Sequence, residues 1–379
     1  MGLRQGSDST VSETIDSGRP GAVVAALCVG ADALDRFFTT IRHLAVGLVD
    51  QAVPLRLLSS DPRIEAMQLG PIQTLHHDRI GWPLANRRLE ELVETLSPQP
   101  PTLVHALAGE SYRVAGVIAE AFDADLVFQV TSQADCDLIA RMETTHVGRF
   151  VAFSRPLADS LERHSKIFGD RIEMIRPGVL AAAGIGAFAE PGRVPTILST
   201  CSLDRGGGVD LLVEAVAILH ERGRNLLAFL LGRGPYEAVL RRAVRARNLS
   251  AMITFADPSG DIELAMRSAD IFIRTSPDDA FTVDGLQAMG DGMAVISFPC
   301  AVSDHYRQGE TALVCDGTSA EALAAAIEKL LADESEAKRL AAGGVEYVKV
   351  HHAMSTMAER TASLYRELAL SHATFPIRE

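Results

Sequence analysis

Three short stretches in the second half of the chain combine residue types suited to holding an anion. Arg205-Gly206-Gly207-Gly208 lies between an apolar run and an amphipathic one. Consecutive glycines reach backbone conformations closed to other residues, so their N–H groups converge into an anion-binding nest, to which the Arg205 guanidinium adds charge. The plain alternative is a tight turn with Arg205 in water. Gly232-Arg233-Gly234 closes another apolar run. It begins like a dinucleotide fingerprint, but Glu237 stands where the third glycine belongs and Pro235 where the helix would open. Thr282 and Val283 are expected to open a helix after Asp279, with amides that cradle a phosphate whatever their side chains. Phe281 is expected to pack beneath that turn.

Other reactive residue types are scattered. Cys28, Cys136, Cys201, Cys300 and Cys315 lack metal or redox spacing and read as small buried hydrophobes in a reducing compartment. A Cys300–His305 nucleophile pair has no catalytic motif around it. The adjacent pairs His76–His77 and His351–His352 do not project together as metal ligands would, and both read as surface features; no metal site is expected. His105 is expected at the carboxyl edge of a strand, where α/β ligand sites gather, although a lone histidine there is more often structural. Asp270 reads as a turn or helix cap, and Asp304 is open between a structural and a ligand-facing role. A net charge of -13 argues against nucleic acid as a partner. No apolar run approaches the roughly 20 residues that span a bilayer, and the expected location is cytoplasmic.

These residues are positioned by short apolar runs that alternate with amphipathic helical stretches, the pattern of parallel sheets with crossover helices. In the first half strands are expected at Ala22–Val29, Val53–Leu58, Leu103–His105, Leu126–Val130, Arg149–Phe153 and Ile172–Ile175, with helices at Pro83–Leu96 and Tyr112–Phe122 among them. In the second half strands are expected at Thr196–Ser202, Leu226–Leu231, Met252–Ala256, Ile271–Arg274, Ala294–Phe298 and Ala312–Cys315. A helix with a Thr318/Glu321 capping box follows, then helices near Glu334–Val350 and Met354–Leu370. With 379 residues, two domains are natural. The expected division is a polar, disordered leader over 1–20, a domain over 21–185, a second over 186–353, and a helix over 354–372 that returns to the first. The small-residue stretch Leu180–Arg193 would connect them.

Taken together, Leu198–Leu212, Leu230–Tyr236, Ala269–Ser276, Asp279–Met289, Gly292–Ser297, Asp304 and Gly309–Val314 resemble the family-4 (group 1) retaining glycosyltransferases of GT-B fold in order and spacing. The resemblance implies two Rossmann-like domains, parallel sheets flanked by helices, facing each other across a cleft. It implies an acceptor on the first and a nucleotide-sugar donor, UDP- or GDP-linked, on the second. It further implies hexose transfer without metal or other cofactor. Asp279 would face the sugar and Gln287 the ribose. Arg205 and Gly206–Gly208 would hold the diphosphate, with Gly232-Arg233-Gly234 and Phe281-Thr282-Val283 beside the nucleotide. The chain departs from that family at several places. Ser202 and Gly207 stand at its Arg and Lys positions, Asp279 and Gln287 at its two Glu positions, and Thr131 near its acceptor-side His. The family's glycine-rich loop is reduced to Gly30–Ala33. The alternative reading is therefore a catalytically impaired relative that binds nucleotide or serves a protein partner.

Overall fold

The computed structural model describes residues 23–80, 84–142, 147–164, 169–257, 268–276 and 280–374. The expected leader, Pro83 and Asp279 lie outside the described residues. Two parallel sheets are formed. The first comprises β1 (Ala25–Val29), β2 (Leu55–Ser59), β3 (Gln73–His76), β4 (Leu103–Leu107), β5 (Asp125–Val130), β6 (Val147–Ala152) and β7 (Ile172–Met174), in the order β3-β2-β1-β4-β5-β6-β7. The second comprises β8 (Thr196–Thr200), β9 (Leu227–Leu231), β10 (Ile253–Ala256), β11 (Ile271–Arg274), β12 (Ala294–Ser297) and β13 (Leu313–Val314), in the order β10-β9-β8-β11-β12-β13. Each sheet reverses its winding next to its first strand, between β1 and β4 and between β8 and β11. Crevices for ligands open above such reversals at the carboxyl ends of the strands. The chain thus has the GT-B architecture.

The central strands are buried along their length, which is why they read as unbroken apolar runs. Strand β3 was not expected: Gln73-Thr-Leu-His76 is a half-exposed edge strand without an apolar run. Helix α1 (Ala31–Asp50) follows β1, α2 (Ala85–Leu96) and α3 (Gly109–Phe122) flank β4, and α4 (Gln133–Ile139) and α5 (Arg155–His164) flank β6. The second sheet carries α6 (Val209–Glu221), α7 (Glu237–Ala246), α8 (Asp284–Gly290), α9 (Ala320–Ala332) and α10 (Glu334–His351). The last helix, α11 (Met354–Thr374), lies against the first sheet. Its Tyr365 hydroxyl meets His105 Nδ1 at 2.6 Å, and Gly47 of α1 leaves room for Ala358.

Several local expectations are corrected. Strand β4 runs on to Leu107, so His105 is buried in mid-strand beside Tyr365, and burial lowers its pKa to about 3. The α9 cap is Ser319, whose hydroxyl accepts from the Ala322 amide, one residue later than the Thr318/Glu321 box. His352 is not a surface residue: it is buried, with Nδ1 2.8 Å from the Pro177 carbonyl, while its neighbour His351 is exposed. The stretch Leu180–Arg193 is laced to the second domain, with Ala182 donating to Gly290 O and Gly186 to Gly292 O.

Candidate functional site

The glycine-rich turns meet at the carboxyl edge of the second sheet. After β8 the chain turns at Leu203, whose amide donates to Arg233 O and whose carbonyl accepts from Tyr236 N, both at 2.9 Å. The turns 201–208 and 232–236 are therefore one interlocked unit. Glycine is required in it: a Cβ at Gly232 would overlap the Cys201 carbonyl and one at Gly234 the Leu203 backbone. Gly208, the N-cap of α6, has φ +72°, and a Cβ there would overlap the Thr275 carbonyl just beyond β11. Thr275 also donates through Oγ1 to Gly207 O at 3.2 Å. The glycine turn is thus seated on the end of β11.

Most of the expected site residues surround this edge. Gly206 has φ +93° and open space around it. The Gly207 amide is engaged by Asp204 O at 3.3 Å, so the nest is narrower than three successive free amides. Arg205 is exposed on the rim of the turn and makes no ion pair among the described residues. Ser202 is exposed and hydrogen-bonded to Asp204. Arg233 does not reach toward the glycine turn; it forms a two-pronged pair with Asp257 at 2.9 and 2.6 Å. Helix α8 starts at Asp284 with Val283 as its cap, so Thr282 and Val283 precede it rather than open it. Gln287 donates to Asp291 at 3.1 Å along the same helix.

Phe281 departs furthest from the expected ligand-side group. Its ring is fully buried against Phe153 at 5.7 Å and His305 at 5.3 Å. Its amide donates to Thr131 O at 2.8 Å, and its carbonyl accepts from Arg36 Nη1 at 3.2 Å. Arg36, on α1, also donates to Thr131 Oγ1 at 3.2 Å and pairs with Asp32. Ser132 and Ala280 form an antiparallel bridge beside it. Thr131, the residue at the expected acceptor-side histidine position, is therefore a fastener between the two domains. The first turn of α1 faces a carboxylate: Asp32 N donates to Glu110 Oε2 at 3.4 Å, in space that the bare Gly30 leaves open.

A polar cluster lies beneath the turns, between the ends of β8 and β11 and the first turn of α8. Thr200 Oγ1 donates to Asp284 Oδ2 at 2.7 Å. Burial raises the Asp284 pKa, against the Thr200 hydrogen bond and the nearby positive charge of Arg274. Arg274 is 4% exposed and donates to Ser276 O. Its guanidinium carbon lies 5.8 Å from the centre of the Tyr306 ring. Both ring nitrogens of His305 are buried without a hydrogen-bond partner among the described residues, and the buried Tyr306 hydroxyl lies by Thr282. Arg36, Arg274, Asp284 and Tyr306 were not singled out from the sequence. An Arg ending an otherwise apolar Ile-Phe-Ile strand was the visible signal for Arg274.

The remaining candidates are structural. Asp270 accepts from Phe188 N and Thr196 N, each at 2.8 Å, and pairs with Arg193 at 2.7 Å. Asp304 is held in two hydrogen bonds by Arg176, at 2.8 and 2.5 Å. Burial raises the Cys28 and Cys201 thiols to about 12 and those of Cys136 and Cys315 to about 11, which keeps them unreactive. Among the described residues, His305 receives no hydrogen bond from Cys300 or any other group.

Residues 186–346, which carry this edge, match the family model for glycosyl transferases group 1. That match is confined to less than half of the chain. It is 26% identical over 204 residues to a GDP-mannose-dependent alpha-(1-6)-phosphatidylinositol monomannoside mannosyltransferase of Mycobacterium tuberculosis, covering 51% of this chain and 53% of that protein. The chain thus spans about half the length of the curated relatives it matches. Sucrose-phosphate synthase from Thermosynechococcus elongatus shares the fold over 92% of this chain and 100% of that one, with TM-score 0.75 and 19% identity. HepE of Anabaena, determined with UDP and glucose, does so over 91% and 100%, with TM-score 0.74 and 14% identity. No helix among the described residues is long and apolar enough to cross a membrane.

Proposed function

We propose that the protein transfers a hexose from a UDP- or GDP-linked donor to a glycan, lipid or small-molecule acceptor, without a metal and with retention of configuration. The observation that carries this reading is the interlock of the turns 201–208 and 232–236 over Thr275, at the winding reversal of the second sheet. A departing nucleoside diphosphate gains negative charge, and fixed donors at that point lower the barrier. In this reading the amides of Gly206 and Gly208, with the Arg205 guanidinium, meet the diphosphate. Asp279 faces the sugar, and Gln287 the ribose. The nucleotides in the names of the relatives, GDP-mannose for the mycobacterial enzyme and UDP for HepE, support these two donor classes. The test is release of UDP or GDP from UDP-glucose, UDP-N-acetylglucosamine and GDP-mannose at high protein concentration, with and without candidate acceptors. No release from any donor sinks the transferase reading.

A second reading has its own support. Ser202 is exposed and tied to Asp204, and Gly207 carries no side chain, so neither expected cation is present in that turn. On this reading the protein binds nucleotide without turning it over and serves another protein as a partner. Calorimetric binding of UDP or GDP without release from any donor favours it; measurable turnover by the unaltered protein removes it.

A further inference from the structure

We infer that Arg36, a residue of the first domain, positions the sugar-facing end of the donor site in the second domain. The inference rests on the donor reading above, in which Asp279 faces the sugar and Gln287 the ribose. The stretch between those two residues is held by different domains at its two ends. On the ribose side it is fixed from within: Asp284, the first residue of α8, accepts from Thr200 Oγ1 at the end of β8 at 2.7 Å. On the sugar side it is bonded through its main chain to the first domain. Phe281 N donates to Thr131 O at 2.8 Å, Phe281 O accepts from Arg36 Nη1 at 3.2 Å, and Ala280 bridges to Ser132. Bonds to both N and O of one residue fix the two planar peptide units that flank it. The direction in which the chain leaves Ala280 toward Asp279 is thereby set from across the domain boundary.

The Ala280 bridge and the Phe281 amide bond are made by main-chain atoms, which many sequences could supply. Arg36 is the side chain that joins them, and it is built into the first domain. Its Nη2 donates to Thr131 Oγ1 at 3.2 Å and pairs with Asp32 one turn earlier on α1. Its guanidinium carbon stands 5.0 Å from the centre of the Phe37 ring. Thr131 is anchored in turn: its amide and hydroxyl donate to Asp135 Oδ2 at 2.8 and 2.9 Å. Asp135 Oδ1 accepts at 2.9 Å from the amide of Gly109, the first residue of α3. The Arg36 side chain is 15% exposed, so its bond to Phe281 O is largely sheltered from competing water. The plain alternative is adhesion between the domains, which the rings of Phe153, Phe281 and His305 already supply. Adhesion does not require a charged donor on a main-chain carbonyl two residues from the sugar-facing position. A nucleotide sugar that binds only this arrangement loses affinity in proportion to the fraction of molecules that hold it.

The experiment is calorimetric titration of UDP-glucose, UDP-N-acetylglucosamine and GDP-mannose, beside UDP and GDP, into the full chain and into R36Q, R36K and S154A. Loss of the charge-assisted bond to Phe281 O predicts about tenfold weaker binding of the nucleotide sugar to R36Q. UDP or GDP should bind as before, because the Thr200–Asp284 bond holds the ribose end from inside the second domain. R36K keeps the charge and part of the bonding, and should recover part of the loss. Ser154 Oγ donates to Val302 O at 2.6 Å, an interdomain bond outside this stretch, so S154A should leave the affinities unchanged. Three results overturn the positioning role and leave the donor reading standing: undiminished nucleotide-sugar affinity in a folded R36Q, an equal fall for UDP and GDP, or the same fall in S154A. Should R36Q not fold, T131V removes the hydroxyl that anchors the guanidinium and carries the same test, with an expected fall of about threefold to tenfold. An unaltered chain that binds none of the three nucleotide sugars removes the donor reading, and this inference with it.

Discussion

Gly208→Ala tests the seating of the glycine turn on β11, and Gly206→Ala supplies its control. Both residues have positive φ, +72° and +93°, in a region where a non-glycine residue costs about 1–2 kcal/mol. They differ in what a new methyl group meets. At Gly206 nothing lies within 4 Å, whereas at Gly208 the methyl would overlap the Thr275 carbonyl. Relief requires the turn to lift from the strand end and to break the Thr275 Oγ1 bond to Gly207 O, a further cost of about 1–3 kcal/mol. Gly206→Ala should therefore lower stability by about 1–2 kcal/mol and Gly208→Ala by about 2–5 kcal/mol. For a unit of 150–250 residues the second value corresponds to a fall in Tm of about 4–20 °C. Differential scanning calorimetry on both variants decides between them. Equal losses would mean that the turn is not packed on Thr275, and the site built on that contact would fall with it.

Asp270→Ala strands two buried amides, Phe188 N and Thr196 N, together with the Arg193 charge, and should cost about 3–5 kcal/mol in urea unfolding. Asp304→Asn should destabilise the protein at neutral pH. Burial pushes the Asp304 pKa up, but the Arg176 hydrogen bonds and charge outweigh it, so the folded value lies below the ordinary one. The contribution is therefore present above pH of about 4 and disappears as pH falls through the folded value, so the gap between wild type and variant in urea midpoint should close in acid. Arg36→Gln removes the bonds to Phe281 O and Thr131 Oγ1. It should cost about 1.5–3 kcal/mol and speed hydrogen exchange at the Phe281 amide, while unchanged exchange there would refute the fastening role.

The alternation of apolar and amphipathic stretches made both sheets legible, because a central parallel strand is buried on both faces and has to be apolar throughout. The edge strand Gln73–His76 has no such constraint and left no pattern. The glycine turns were legible for the same reason that they are fixed: close backbone approach at Gly208, Gly232 and Gly234 admits no side chain. What could not be read was set by contacts distant in sequence. The sequence shows Phe281 only as an apolar residue beside its turn; its amide and carbonyl are bonded to residues 150 and 245 positions away, Thr131 and Arg36. His352 reads as a solvent-facing partner of His351, but the Pro177 carbonyl holds it in the interior. Thr200 and Asp284, 84 positions apart, give no sign in the sequence that they meet in a hydrogen bond under the turn.

The aromatic seam formed by Phe37, Phe153, Phe281 and His305 has a consequence for dissecting the protein. A fragment truncated to the family-matching residues 186–346 would leave the Phe281 ring and the neighbouring Val302 loop bare to water, and it would forfeit the Ser154 hydroxyl that bonds Val302 O at 2.6 Å. Uncovering one such ring alone costs on the order of 2–3 kcal/mol. The half that carries the glycine turns therefore takes part of its interior from the other half, and a shortened version would be expected to stick to itself before it bound anything else.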